Sequence, residues 1–308
     1  MGFPSTMFPH QPTWSNTRIN LLQRCPRAFV LRYGLAELSK HHPQGQVLSE
    51  LFNIQTPWVL MHQTVRELVL DYVEDYVNGT VWSEKLIRIR FKKDYAQAIA
   101  KRNKRIQQLF HHGIHSSLFQ RAQAEEHLIE MGVKSCIDMI QHNSLIRWLS
   151  HGSIERKNPV SSVTNENIRL YCSPDLIHHG RNGTTLIKFY LYGNLNPNER
   201  THQASLIQSY GDKESTVALF ILHRRKWYIH TAKPVEHQRK GAMNLIRQDI
   251  QHMETAFSKV NKNNDLSNVP LADSYRACMT CNVRFMCPSR HGFENAKAEQ
   301  RALMCRWG

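Results

Sequence analysis

The sequence predicts an α/β fold with a helical insertion, and three observations predict it. Apolar residues recur at helical spacing over much of residues 15 to 150, four β-rich segments lie between 168 and 231, and helical stretches separate and follow those strands. A chain of 308 residues with 41% hydrophobic side chains has enough apolar material for a sizeable core, and one domain over 1–308 is the simplest division. Within it the reading distinguishes N-terminal helices over 15–83, a basic helical insertion over 84–150, an α/β core over 151–260 and a cysteine-bearing segment over 270–308.

Taken in order, "SNTRINLLQRCPRAFVLRY" at 15–33 opens on the cap-forming Ser15 and Asn16 and carries Ile19, Leu22, Phe29, Val30 and Tyr33 at helical spacing. Pro26 cannot stay inside a helix, so the chain should bend just after Cys25 and turn that thiol inward. Thr56-Pro57 starts a second helix. Its apolar stripe is Val65, Leu68, Val69, Tyr72, Val73 and Tyr76; its polar stripe is Arg66, Glu67, Asp71, Glu74 and Asp75; His62 lies in its first turns. Strands are expected at 168–177, 184–192, 216–223 and 226–231, with "HRRK" as the turn between the last two. Helices are expected near 200–211 and 234–258, followed by a polar link at 261–268.

The formal charge is +15, from 40 Lys and Arg against 25 Asp and Glu, which favours polyanions such as nucleic acid or an anionic surface. No apolar run is long enough to cross a membrane, and "MGFPSTMFPHQP" lacks the basic start and apolar stretch of a secretion signal, so a cytoplasmic, nucleoid-associated protein is expected. The charge concentrates in residues 88–105, where Arg88, Arg90, Lys92, Lys93, Lys101, Arg102, Lys104 and Arg105 face a single acid. Such a run is commonly a solvated helix face; Phe91 and Tyr95 between the cations raise the case for nucleic-acid contact. His111 and His115 stand four apart, but no carboxylate lies in the nine residues that follow, so a surface helix is expected there.

"CMTCNVRFMCP" places Cys278, Cys281 and Cys287 in a C-x2-C-x5-C pattern. Two thiolates three residues apart can grip one metal centre, a third returns after a short loop, and a fourth ligand must come from elsewhere. Cys25 is the best candidate, with a proline after it and Arg24 and Arg27 beside it to favour its thiolate. The spacing admits a 4Fe-4S cluster, a zinc ion, or thiols with no metal; Cys136 and Cys172 fit small buried side chains, and Cys305 a spare thiol.

The two end motifs, "SNTRINLLQRCPRAFVLRYG" and "CMTCNVRFMCPSR", resemble the iron-sulfur branch of the RecB-like PD-(D/E)XK nucleases, which includes CRISPR-associated exonucleases and the AddB nuclease domain. The resemblance spans about 15–290. It implies a restriction-endonuclease-like mixed sheet flanked by helices, a cluster joining the chain ends, and a divalent-metal site that hydrolyses DNA. It assigns His62 to the helix histidine that supports the metal, Asp175 in "SPDLI" to the first metal-binding carboxylate, and Gln203 in "THQASLIQSYG" to the glutamine of the following helix. In that helix Ile207 replaces the family's tyrosine, with Tyr210 one turn on.

The family's next strand carries Asp or Glu, one residue, then Lys. Here one alignment gives Phe189 and Leu191, and the other gives Lys188 and Tyr190. Neither supplies the acid, and a hard dication held by one Asp and a His is weakly bound. Lys188 could then neutralise Asp175 as an ion pair, and Asp175 could equally cap the turn in "HHGRNG". His62 has an equal claim to be a buried structural histidine.

Three functions follow as expectations. The first is a DNA-binding pseudo-nuclease acting with other protein subunits in DNA repair, recombination or CRISPR-type antiviral defence. The second is a working Mg²⁺- or Mn²⁺-dependent nuclease using Asp175 and Lys188 with a relocated acid such as Glu155 or Glu199. The third is a structural, protein-binding subunit.

Overall fold

The computed structural model describes residues 11–37, 43–110, 125–158, 161–191, 195–260, 266–274, 277–278, 281–284 and 287. Thr13–Trp14 is a short strand, β1, and helix α1 runs over Asn16–Arg24, its first turn closed by the Arg18 amide donating to the Ser15 hydroxyl. Proline has no amide proton to continue the ladder, so the helix stops: Cys25 is extended at φ −164°, and Pro26 opens α2, Pro26–Val30. A π-helical stretch, Leu31–Ala36, and α3, Pro43–Asn53, follow.

Helix α4, Pro57–Val77, starts where the Val59 amide donates to the Thr56 hydroxyl, and it buries Met61, Val65, Leu68, Val69, Tyr72 and Val73. Helices α5, Glu84–Phe110, α6, Glu125–Ile140, and α7, Asn143–Ser150, pack with it. Gly132 lets α5 and α6 approach: a Cβ there would stand 2.0 Å from the Phe91 ring. Phe91 and Tyr95 are themselves fully buried.

The main sheet holds β2, Ser153–Arg156; β5, Leu176–Gly180; β6, Gly183–Tyr190; β7, Thr216–His223; and β8, Lys226–Ala232, in that spatial order. Only β6 and β7 run parallel, joined by α8, Pro197–Gln208, a crossover helix with an Asn196–Glu199 capping box. Side chains alternate between two faces. Leu176, Ile187, Phe189, Ala218 and Phe220 meet the α4–α7 layer, whereas Ile177, Leu186, Val217, Leu219 and Ile221 share a core with Ala204 and Ile207 of α8. A smaller mixed sheet joins β1 to β4, Ile168–Leu170, and β3, Val163–Asn165. Its core is shared with α1–α3, with α9, Glu236–Ser258, and with Leu266, Val269 and Val283, so both ends of the described chain meet in one apolar cluster.

The chain is therefore α/β, with mixed sheets flanked by helices. Two expectations change. Residues 168–177 are not one strand: β4 ends at Leu170 and β5 starts at Leu176. The helical region from 84 to 150 supplies apolar residues to the core over one sheet face. Phe91 and Tyr95 are unavailable to nucleobases, being packed inside that core. The HHGIH stretch at 111–115, Cys305 and residues 261–265 of the polar link lie outside the described residues. Among those described, no helix is long and apolar enough to cross a membrane.

Candidate functional site

Asp175 stands one residue before β5, its backbone already paired: its amide donates to the Ile187 carbonyl at 2.7 Å, and its carbonyl accepts from the Lys157 amide at 2.9 Å. Leu176 pairs with Ile187, the Asp175 amide bonds to that same Ile187, and the Asp175 side chain reaches the next residue of β6, Lys188. The carboxyl is 0% exposed. Its Oδ1 accepts from Arg66 Nη2 at 2.5 Å and from Lys188 Nζ at 2.9 Å, and its Oδ2 accepts from the Phe189 amide at 2.8 Å. Burial would raise the Asp175 pKa; the charges of Lys188 and Arg66, with their hydrogen bonds, outweigh it and hold the carboxyl below its ordinary value.

Both oxygens are thus committed to nitrogen donors, and the ion-pair outcome for Asp175 and Lys188 is the one observed. The contacts of Asp175 in this structure are those of an ion pair with a backbone amide added: two cations on Oδ1 and the Phe189 amide on Oδ2. Lys188 also donates to the Ser173 carbonyl at 2.8 Å, which fixes the ammonium in place. Arg66 was the residue the sequence concealed. It sat among the charged positions of α4, yet it reaches back to the sheet, with Glu67 on its other terminal nitrogen at 2.6 Å.

His62 lies one turn before Arg66 on α4, buried, with its ring edge-on to Trp58 at 4.6 Å. Burial pushes its pKa down to about 4, so the imidazole is neutral near pH 7. The unfolded chain takes a proton there at about 6.5, whereas the folded chain refuses it until about pH 4. Stability linked to His62 is therefore present above pH 6.5 and lost as pH falls towards 4. His62→Gln is expected to flatten that part of the curve, measured as urea midpoints at pH 7, 5.5 and 4.5; an unchanged slope would contradict it.

Gln203 on α8 is buried in a different network. Its Oε1 accepts from Tyr190 Oη at 2.7 Å and Asn16 Nδ2 at 2.8 Å, and its Nε2 donates to Asn16 Oδ1 at 2.9 Å. It ties α8 to β6 and α1, and it meets the Asp175 group only through the strand that carries Tyr190 and Lys188. Tyr210, expected one turn further along that helix, lies in the turn just past its end and donates to the Ser161 hydroxyl at 3.1 Å.

Of the two acids offered for a relocated site, Glu155 is paired with Lys157 and Glu199 closes the capping box of α8, accepting from the Asn196 amide at 2.7 Å. The acids nearest to Arg66 along α4 are also occupied: Arg156 of β2 binds Glu67, Asp71 and Glu74 at 2.6, 2.8 and 3.0 Å. Among the described residues no group of three or more His, Cys, Asp or Glu side chains stands ready to hold a metal ion.

That statement includes the cysteines as they lie, yet Cys25, Cys278, Cys281 and Cys287 all line one cavity of about 330 Å³. Arg24 Nη2 donates to the Ala277 carbonyl at 3.3 Å, and Asn282 Nδ2 donates to the Leu51 and Ile54 carbonyls at 3.1 and 2.7 Å, which pins the C-terminal segment against α1 and the end of α3. Burial raises the Cys25, Cys278 and Cys281 thiols, the last to about 11. The expectation that Arg24 and Arg27 favour a thiolate at Cys25 is corrected. Burial raises the Cys25 thiol; the Arg27 guanidinium is turned to the Val269 carbonyl, with Nε at 2.7 Å, so that only its backbone amide, with that of Ala28, favours the thiolate, and the Arg24 charge acts on Cys278 and Cys281. Cys136 and Cys172 are buried away from this cavity.

The basic residues of α5 divide by role. Arg88 pairs with Glu130 at 2.5 Å, Arg90 pairs with Asp75 at 3.2 Å and lies over the Trp82 ring at 4.1 Å, Arg102 donates to the Gln55 carbonyl at 2.8 Å, and Arg105 stands 3.8 Å from Glu50. Lys92, Lys93, Lys101 and Lys104 are exposed. No contact named above involves these four lysines, nor the exposed Lys85 in the first turn of α5.

No protein-family model and no curated protein matches the chain. A solved structure described as "Crystal structure of SSO0001" is similar to it at 11% identity over 73% of this chain and 95% of that one, with a TM-score of 0.28, a likeness too slight to carry an argument.

Proposed function

We propose that the chain is a nucleic-acid-binding protein of the nuclease-like iron-sulfur type, in which an ion pair has taken the place of the hydrolytic metal. The observation that carries this is the buried Asp175 carboxylate clamped by Arg66 and Lys188. The contact between Lys188 and Asp175 favours the alignment that gives Lys188 and Tyr190: in it the lysine stands where the family has its second acid and Tyr190 where the family has its lysine. His62 on α4 and Gln203 on α8 flank the same strands, as the resemblance leads one to expect. A site with one neutralised carboxylate lacks the oxygen ligands to hold a dication and activate water.

The four cavity cysteines fit an iron-sulfur cluster by donor chemistry: soft thiols from both chain ends facing one space. Cys25, Cys278, Cys281 and Cys287 would hold it, and its contribution here is a cross-link between the ends rather than a catalytic step. DNA is the partner the charge favours, single- or double-stranded, through Lys92, Lys93, Lys101 and Lys104. Hydrolysis, where the complex needs it, falls to another subunit.

The test uses anaerobically purified full-length protein with labelled single- and double-stranded DNA and Mg²⁺ or Mn²⁺. Binding that weakens with salt and no cleavage are expected. Replacing the four lysines by alanine lowers the salt slope by about 3 to 4 on duplex DNA. Cleavage abolished by Asp175→Ala, or no binding at low salt, contradicts the reading.

A further inference from the structure

A second cationic feature lies away from α5, on the α8–α9 side of the molecule. A cleft of about 600 Å³ opens between the β3–β4 turn, the end of α8 and the N-terminal half of α9. Its cations are Lys213, Arg239, Lys240 and Arg247, and its acids are Glu166 and Glu236. A buried glutamine builds it. Gln208, 2% exposed, donates through Nε2 to the Lys213 and Ser215 carbonyls at 3.1 and 2.8 Å and accepts at Oε1 from Arg239 Nη1 at 3.1 Å. The loop carrying Lys213 and the Arg239 guanidinium are thereby set against each other.

The charges do not balance. Arg247 is matched by Glu166, leaving Lys213, Arg239 and Lys240 around the one carboxylate of Glu236. Lys240 contacts Glu236 at 2.7 Å, but those side chains are 74% and 70% exposed, so water already competes for both and the pair yields readily to a stronger anion. Glu236 has its pKa lowered first by the Lys240 hydrogen bond and charge, and further by Lys213 and Arg239, which agrees with a local excess of positive potential. Hydroxyl and amide side chains of Thr164, Ser209 and Asn244 add further polar groups, and no aromatic ring is among the described lining residues.

We infer that this cleft binds two or more adjacent phosphates, gripping them by charge without reading a base. A cavity of this size belongs to the range that takes small ligands rather than single ions. Three cations lining it ask for a polyanion, and no aromatic ring among the described lining residues offers a base a stacking surface. The phosphates could be those of a free polyphosphate or nucleotide, or consecutive phosphodiesters of a strand. The inference stands without the DNA-binding reading above.

The probe is inorganic tripolyphosphate, titrated calorimetrically at low salt into the full chain. Lys213→Ala/Lys240→Ala is expected to weaken binding roughly tenfold or more, since two charge-assisted contacts go. A control of equal charge loss at exposed positions elsewhere, Lys85→Ala/Lys134→Ala, should change it little. An oligothymidylate strand then separates the sources. If a strand occupies the cleft, it displaces tripolyphosphate, and the cleft variant lowers the strand's salt slope by about 1.4; if it does not compete, the occupant is a free polyphosphate or nucleotide. Equal losses in both double variants, or no tripolyphosphate binding at all, overturn the inference. Failure of DNA binding alone would sink the earlier reading and leave this one standing.

Discussion

Asp175→Ala is expected to lower the unfolding free energy by about 3–5 kcal/mol, because removing one partner of a buried ion pair leaves the other charges uncompensated. Here it leaves two. Arg66 and Lys188 both point at Oδ1, so without the carboxylate they stand no farther apart than the sum of their distances to it, while the Phe189 amide loses its acceptor. The readout is a lower urea midpoint at unchanged slope. Its sign separates the two accounts of this site. Where carboxylates crowd together awaiting a metal, deleting one relieves repulsion, and the variant is neutral or more stable. Asp175→Asn, which keeps the shape and an acceptor for Phe189, should fall between wild type and alanine. The Asp175 pKa is depressed in the folded state, so the stability it brings is present above its unfolded value of about 3.9 and is lost as pH falls through the lower folded value.

Cys25→Ser is the second large effect. If the four cavity thiols hold a cluster, the bond network joins residue 25 to residue 278, and opening so long a loop costs on the order of 5 kcal/mol in the chain-entropy account, beyond the metal–ligand bonds themselves. Anaerobically prepared wild type should contain iron and absorb at roughly 400 nm; the variant should lose both, with a lower melting temperature. Cys136→Ala makes the contrast, since that thiol is buried between α6 and α4 and has no place in the cavity. It should keep its iron despite some loss of packing. Zinc in place of iron would keep the brace and change its chemistry; wild type free of any metal, with Cys25→Ser as stable as the parent, would contradict the proposal.

Much of the architecture was legible because local chemistry is strong where elements begin and end. Ser15, Thr56-Pro57 and Pro26 marked helix boundaries that depend on a hydroxyl acceptor or a missing amide, and the structure has them there. The apolar runs that became β6, β7 and β8 were also clear, and "HRRK" did turn, with Arg224 and Arg225 both at positive φ in place of the usual glycine or asparagine. The strands β1, β2 and β3 were missed. They have two to four residues each, too few for a period-2 pattern to stand out, and they exist because partners elsewhere accept their hydrogen bonds.

At the site, the absence of an acid between Leu176 and Asn198 made an ion pair of Asp175 with Lys188 one of the readings open in the sequence. That pattern could not identify Arg66. An arginine among Glu67, Asp71 and Glu74 reads as one more exposed charge, and only the packing of α4 across the sheet shows that it turns towards Asp175 while Arg156 takes up those acids. The error over Phe91 and Tyr95 has the same origin. Aromatic residues among lysines look the same in sequence whether they face water or a neighbouring helix, and here Gly132 of α6 makes room for the ring.

The central claim is that two cations occupy the place of a catalytic dication, and manganese tests it most directly. Electron paramagnetic resonance of free Mn²⁺, titrated with anaerobic wild type and with Asp175→Asn at neutral pH, compares uptake by the two proteins. The account predicts identical curves, because the side chain at 175 is held by Arg66, Lys188 and the Phe189 amide and adds no manganese ligand. One manganese bound per wild-type chain and lost in Asp175→Asn would contradict it.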